Sequence, residues 1–207
     1  MAGFSLVELL ISLSIGVLMS GTILQAVLDD AHASAGLTRL LRERAFQQRT
    51  LDLIQDDLAR TSRISRDPRL EQHACGLSGR LPVLHLTTAA GPITYSIGAA
   101  PSGIWRGQVL MRCGPAYGLD GEPSLGSQSQ NRVILDGLAA SPQPWAGCQL
   151  LLRGAAGTVD LAGSSRRSFS ACLAPDSGLV AVRLQQAFVQ GRKVTSVALS
   201  SVMDLAG

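Results

Sequence analysis

The amino-acid sequence predicts an α+β fold: a long N-terminal helix followed by an antiparallel β-sheet. Three observations carry that reading. From Phe4 to Leu28 the chain runs 25 residues with one formal charge, Glu8. Beyond that run apolar residues keep recurring at helical spacing, and no proline interrupts Phe4 to Asp67. After Pro68 glycine and proline become frequent and short alternating apolar runs appear between them. A helix followed by a strand-rich region is the α+β order.

The first element is long enough to cross a bilayer, since roughly 20 apolar residues span one as a helix. Ser5, Ser12, Ser14, Ser20, Thr22 and Gln25 make it less apolar than many spans, and Asp29-Asp30 closes it. A cleaved secretory signal fits poorly. The apolar stretch is too long, no Lys or Arg precedes it, and a carboxylate sits inside it. An unprocessed signal anchor is the other alternative. A carboxylate inside a bilayer costs about 2.5–3.5 kcal/mol, so Glu8 calls either for snorkelling at the helix end or for a cationic partner.

The second element is an amphipathic continuation. Leu37, Leu40, Leu41, Ala45, Leu51, Ile54 and Leu58 fall largely on one helical face. Arg39, Arg42, Glu43, Arg49, Asp52, Asp56 and Arg60 fall on the others and read as a solvated surface. A nearly continuous helix from about Phe4 to Arg60 is expected.

The remaining chain offers candidate strands at Val83–Thr88, Ile93–Ile97, Gly103–Arg112, Arg132–Leu135, Gln149–Arg153, Leu179–Gln186 and Lys193–Ser200. Gln190-Gly191-Arg192 suggests a hairpin between the last two. Pro115–Gln130 and Ser141–Gly147 read as loops, and Gly154–Ser170 is part loop and part strand. The predicted division is therefore 1–3 leader, 4–28 membrane helix, 29–66 continuation of that helix, and 67–207 β-rich region.

Composition excludes little but is informative about compartment. Apolar residues make up 46% of the 207, enough for a real core. Cys75, Cys113, Cys148 and Cys172 form no CxxC pair and no zinc-ligand spacing. Outside the membrane they would lie in an oxidising compartment and form two disulfides, with all three pairings open. Four buried thiols are the alternative.

Catalytic, metal and nucleic-acid signals are weak. His32, His73 and His85 form no metal-spaced pair, and His85, inside an apolar run, reads as a satisfied strand residue. There is no nucleophile elbow, dinucleotide fingerprint or phosphate loop, so no enzymatic activity, no cofactor and no metal are expected. Asp120-Gly121-Glu122 could offer carboxylates to calcium but reads as a turn. Arg166-Arg167 and Arg192-Lys193 could attract DNA phosphates, yet from Leu70 onward ten Lys and Arg face seven Asp and Glu, which supports DNA binding only weakly. Trp105 and Trp145 read as core or interface anchors.

Gly3-Phe4-Ser5-Leu6-Val7-Glu8-Leu9-Leu10 closely resembles the type IV prepilin signature: Gly, Phe, then an apolar run broken by Glu. That resemblance covers about the first 30 residues. It implies cleavage between Gly3 and Phe4 by a prepilin peptidase and N-methylation of Phe4. It also implies an inner-membrane, single-pass chain with its β-rich region outside, later exposed on a pilus or the cell surface. Glu8, the fifth residue after the cut, would accept the cationic N-terminus of a neighbouring subunit and set assembly register. The implied partners are other pilin or pseudopilin subunits, the peptidase, the inner-membrane assembly platform and membrane lipid. The leader Met1-Ala2-Gly3 lacks the Lys or Arg usual in the family.

Ile93-Thr94-Tyr95-Ser96-Ile97, Gly103-Ile104-Trp105-Arg106, Val109-Leu110-Met111-Arg112-Cys113 and Arg132-Val133-Ile134-Leu135-Asp136-Gly137-Leu138 are similar to the β-rich region of PilW-type minor pilins. Gln25 stands where many major pilins have a proline, which favours a minor pilin or a pseudopilin. The pseudopilin J component of type II secretion is the alternative. A single-span surface-binding module, an adhesin or DNA receptor, is the alternative of a different class.

Overall fold

The computed structural model describes residues 5–65, 75–77, 79–145, 148, 151–152, 157–161, 167–190 and 193–204; for residues 189–190, 193–195 and 197 it describes the backbone alone. The expected leader cut at Gly3 and Phe4, together with His73, Arg166 and Arg192, lies outside the described residues. One helix, α1 (Leu6–Ala59), precedes nine strands that form one antiparallel sheet. By compactness the chain divides into two units, one to Arg42 and one from Glu43, and each is described by itself.

In the first unit α1 is solvent-exposed on all sides through its apolar stretch; every large apolar side chain from Leu6 to Leu28 is more than half exposed. Such a surface is stable only against something apolar. The hydroxyls within it do not stand against that. Ser12 donates to the Leu9 carbonyl at 3.0 Å, Ser14 to Ile11 at 2.8 Å, Ser20 to Gly16 at 2.8 Å and Thr22 to Met19 at 2.9 Å. Each is satisfied within the helix, so its cost in hydrocarbon is small.

In the second unit the C-terminal part of α1 packs on the sheet. Leu51, Ile54 and Leu58 are fully buried against Val83, Leu84, Leu86, Ile93, Tyr95, Leu110, Phe169, Val180, Val182 and Leu184. Burying each of the three helix residues stabilises by about 1.5–3 kcal/mol. The helical face that docks also includes Glu43, Gln47, Thr50 and Asp57. This corrects the expected stripe: Ala45 is exposed, and Glu43, read as solvated, is buried. The helix stops after Ala59, where Arg60 N–H bonds the Asp57 carbonyl at 3.3 Å and the Thr61 hydroxyl bonds the same carbonyl at 2.7 Å. These donors satisfy a carbonyl that the ended helix leaves open.

Strands β1 (Thr61–Ser65), β2 (Leu81–Thr88), β3 (Gly91–Ala99), β4 (Gln108–Gly114) and β5 (Gln130–Leu138) pair in chain order. β8 (Leu179–Gln190) follows β5, then β7 (Phe169–Ala174) and the two-residue β6 (Val159–Asp160). β9 (Lys193–Asp204) pairs the other edge of β8 along its whole length, closing the expected hairpin at Gln190 and Lys193. β5 and β8 share one register pair, Leu138 and Gln186, and the Gln186 side chain donates to the Asp136 carbonyl at 2.7 Å, so the join between the two halves of the sheet is narrow.

Three strand expectations need correction. β1 occupies Thr61–Ser65, the end of the stretch assigned to the helix. β4 starts at Gln108; Gly103 to Trp105 form a turn instead. Where Gln149–Arg153 was expected as a strand, Cys148 and Leu151 are helical and Leu152 N–H bonds the Cys148 carbonyl at 3.0 Å. Gly154–Ser170, expected as part loop and part strand, includes β6 and the first two residues of β7.

Candidate assembly segment and the cluster that anchors its helix

Glu8 lies in the first turn of α1 and is exposed. Ser5 precedes the helix, and its carbonyl accepts the Glu8 N–H at 3.0 Å and the Leu9 N–H at 3.2 Å. An acidic side chain at this end lies near the positive pole of the helix dipole. Among the described residues no ion pair involves Glu8. On one side of the helix Ser12, Gly16 and Ser20 recur every fourth residue beside Leu9, Leu13 and Val17 and form a shallow trough. Small residues at this spacing let helices approach closely in lipid.

The same helix is fixed to the sheet at its other end by ionic contacts. Asp57 is 1% exposed. Its carboxylate accepts Nε of Arg112 at 2.7 Å and Nη2 at 2.9 Å, in the two-pronged geometry that suits guanidinium and carboxylate. The Tyr117 hydroxyl donates to Oδ1 at 2.5 Å, and the Tyr95 hydroxyl donates to Oδ2. Sheet register explains the convergence: Tyr95 on β3 lies directly opposite Arg112 on β4, and Tyr117 follows in the next loop. Nη1 of Arg112 bonds the Pro115 carbonyl at 3.0 Å, and its guanidinium lies 5.0 Å from the Tyr117 ring centroid.

These contacts set the titration. Burial works against the charge of Arg112, but hydrogen bonds and attraction from Asp57 outweigh it and hold its pKa above the ordinary value. Burial, then the Asp57 charge, pushes the Tyr95 hydroxyl well above its usual range, and burial with the Asp57 hydrogen bond raises Tyr117. A raised tyrosine pKa favours the neutral form in the fold. Its contribution is complete below the unfolded value of about 10 and is lost as pH rises toward the folded value. Tyr95 and Tyr117 are the chain's only tyrosines. An absorbance titration should therefore show no tyrosinate near pH 10 in the folded protein. Both should ionise together with unfolding; a normal transition in the native state would contradict the cluster.

A second ionic contact holds the helix one level earlier. Arg106 bridges Glu43 on α1, at 2.8 and 3.2 Å, and Asp136 on β5, at 2.9 and 3.1 Å. Burial raises the Asp136 pKa, but its bonds to Arg106 lower it more, so it stands below the ordinary carboxylate range. Gly137 supports this contact through its backbone. Its φ of 64° is left-handed, and its N–H reaches the Arg106 carbonyl at 2.8 Å.

The cysteines pair as Cys75–Cys113 and Cys148–Cys172. The first ties the segment before β2 to β4. The second ties the helical turn at Cys148 to β7, where Leu152, Cys172, Ala174 and Ala181 form a small second core with Trp145. With their cysteines 38 and 24 positions apart in sequence, the two links each stabilise by about 3–4 kcal/mol in the chain-entropy account.

The other singled-out residues have structural places. His85 is buried with Nδ1 2.8 Å from the Thr94 hydroxyl. In the Asp120 turn, Asp120 accepts the Glu122 N–H at 3.1 Å, and Glu122 pairs with Arg60 at 3.3 Å. Among the described residues no group of three or more His, Cys, Asp or Glu could hold a metal. Trp105 lies half-exposed in the turn before β4. Sequence reasoning missed Asp57, Arg112, Tyr117 and the ionic role of Glu43. The available signal was that Glu43, Gln47, Thr50, Ile54, Asp57 and Leu58 share one helical spacing once polar residues are admitted to it. Compared with models of known families, with curated proteins and with solved structures, the chain matches none.

Proposed function

We propose that this chain is a minor pilin-like structural subunit of a type IV pilus, cut after Gly3, methylated on Phe4 and assembled through α1. The observation that carries the reading is an apolar helical face, exposed on every side from Leu6 to Leu28, with one carboxylate at Glu8. The helix is long and apolar enough to cross a membrane. Lipid can cover it before assembly and neighbouring helices can cover it afterwards, along the trough of Ser12, Gly16 and Ser20.

The rest of the chain suits that role. Two disulfides suit an oxidising compartment, which supports a location of the unit from Glu43 outside the cytoplasm. The Asp57 and Glu43 contacts fix the C-terminal part of α1 to the sheet, so that force on the helix reaches the folded unit without unzipping it. Intact mass tests the processing step. The mature protein should lack Met1-Ala2-Gly3 and carry one extra methyl group on Phe4; a mature N-terminus at Met1 or Ala2 would overturn the proposal.

A further inference from the structure

Among the described residues β9 pairs with β8 and with nothing else, which leaves its outer edge open over 12 residues. The sheet's other ends are short: β1 has 5 residues and β6 has 2. A long open edge presents a row of unpaired N–H and C=O groups, and natural proteins blunt such edges with charges, prolines or bulges. β9 has none of these along its middle. Val194 to Met203 contains no charge and no proline, and the register with β8 runs through twelve consecutive pairs without a shift. The outward residues Ser196, Ala198 and Ser200 are small and exposed, so they leave the backbone accessible.

The two ends of β9 differ in sign: Lys193 opens the strand and Asp204 closes it. We propose that β9 is an interface strand whose free edge pairs antiparallel with β9 of a second copy of this chain. A two-fold axis perpendicular to the sheet at Ala198 sets the Lys193 end of each copy against the Asp204 end of the other. The uncharged middles then pair with each other. A parallel arrangement would place like charges together at both ends, and opposite charges favour the antiparallel one. The two-fold keeps core faces with core faces, so Leu199 and Met203 of both copies stay on the buried side of a continuous sheet. The contact closes on itself, and it rests on the sheet alone, not on the filament reading.

The test uses the full chain in detergent. Under oxidation Ala198→Cys should give a covalent dimer, because residues facing across such an axis lie within disulfide reach. Ser127→Cys, on an exposed loop, should not. By light scattering the unmodified chain should be a dimer. Ala198→Lys, which sets two like charges at the axis, should be monomeric with its circular dichroism and both native disulfides unchanged. Cross-linking of Ala198→Cys no greater than that of Ser127→Cys would overturn the proposal. So would a dimer that persists in Ala198→Lys, since that dimer would be held by α1. If Ala198→Lys fails to fold, the cysteine comparison decides alone.

Discussion

Asp57→Ala is expected to destabilise the unit from Glu43 onward by about 3–5 kcal/mol, the loss found when one partner of a buried ion pair is removed. The size follows from what is left behind. Arg112, with a side chain 8% exposed, would keep its charge without a counter-charge. The hydroxyls of Tyr95 and Tyr117 would lose their acceptor, at a further desolvation cost. A domain is stable by only about 5–15 kcal/mol, so much of the margin would go. Asp56→Ala is the control: Asp56 is one residue away and exposed, and it should shift stability by no more than about 0.5 kcal/mol. Denaturant midpoints measured with both disulfides intact give the comparison. Equal midpoints for the two variants would refute the assigned role of Asp57. Combining Asp57→Ala with Arg112→Met should recover part of the loss, because removing both charges is far less costly than stranding one.

This cluster also shows where the sequence was readable and where it was not. Hydrophobic spacing alone located α1 and placed Leu51, Ile54 and Leu58 on its buried face, because a transfer energy proportional to apolar area is a property of each residue type. It could not place Asp57 or Glu43. A buried carboxylate is tolerable only beside its partners, and those partners, Arg112, Tyr95 and Arg106, come from strands and turns 38 to 63 residues away. The same limit explains the disulfides, whose pairing depends on where β4 and β7 lie. β2, β3, β8 and β9 were legible because they alternate or run continuously apolar. β1, Thr-Ser-Arg-Ile-Ser, is too polar to read as a strand and exists by its pairing with β2. The candidate assembly segment is the opposite case. Its spacing of Phe4, Glu8 and an apolar run is contained within a few consecutive residues, so nothing about the fold was needed to find it.

Glu8→Ala is expected to leave membrane insertion intact and to remove the chain from sheared filaments. The two halves of that expectation have separate causes. Insertion depends on the apolar run, and deleting a carboxylate from it removes a cost of about 2.5–3.5 kcal/mol, so the membrane-bound amount should stay equal or rise. In the proposed filament, assembly would depend on register between neighbouring apolar helices. Apolar contacts are non-directional and would hold such helices at many axial offsets. In that proposal one carboxylate near the start of each helix, facing one free amine at Phe4 of a neighbour, would select a single offset. This is the use of a buried ion pair that is best attested: it specifies geometry more than it adds stability. Glu8→Gln should fail as Glu8→Ala does, since it keeps the shape and hydrogen-bonding capacity and loses the charge. Immunoblots of the membrane fraction and of sheared filaments from the same cells separate the outcomes. An undiminished filament share for both variants would mean that Glu8 does not set the register. Loss from both fractions would mean that it acts in folding or insertion, and the assembly role would fall in that case too.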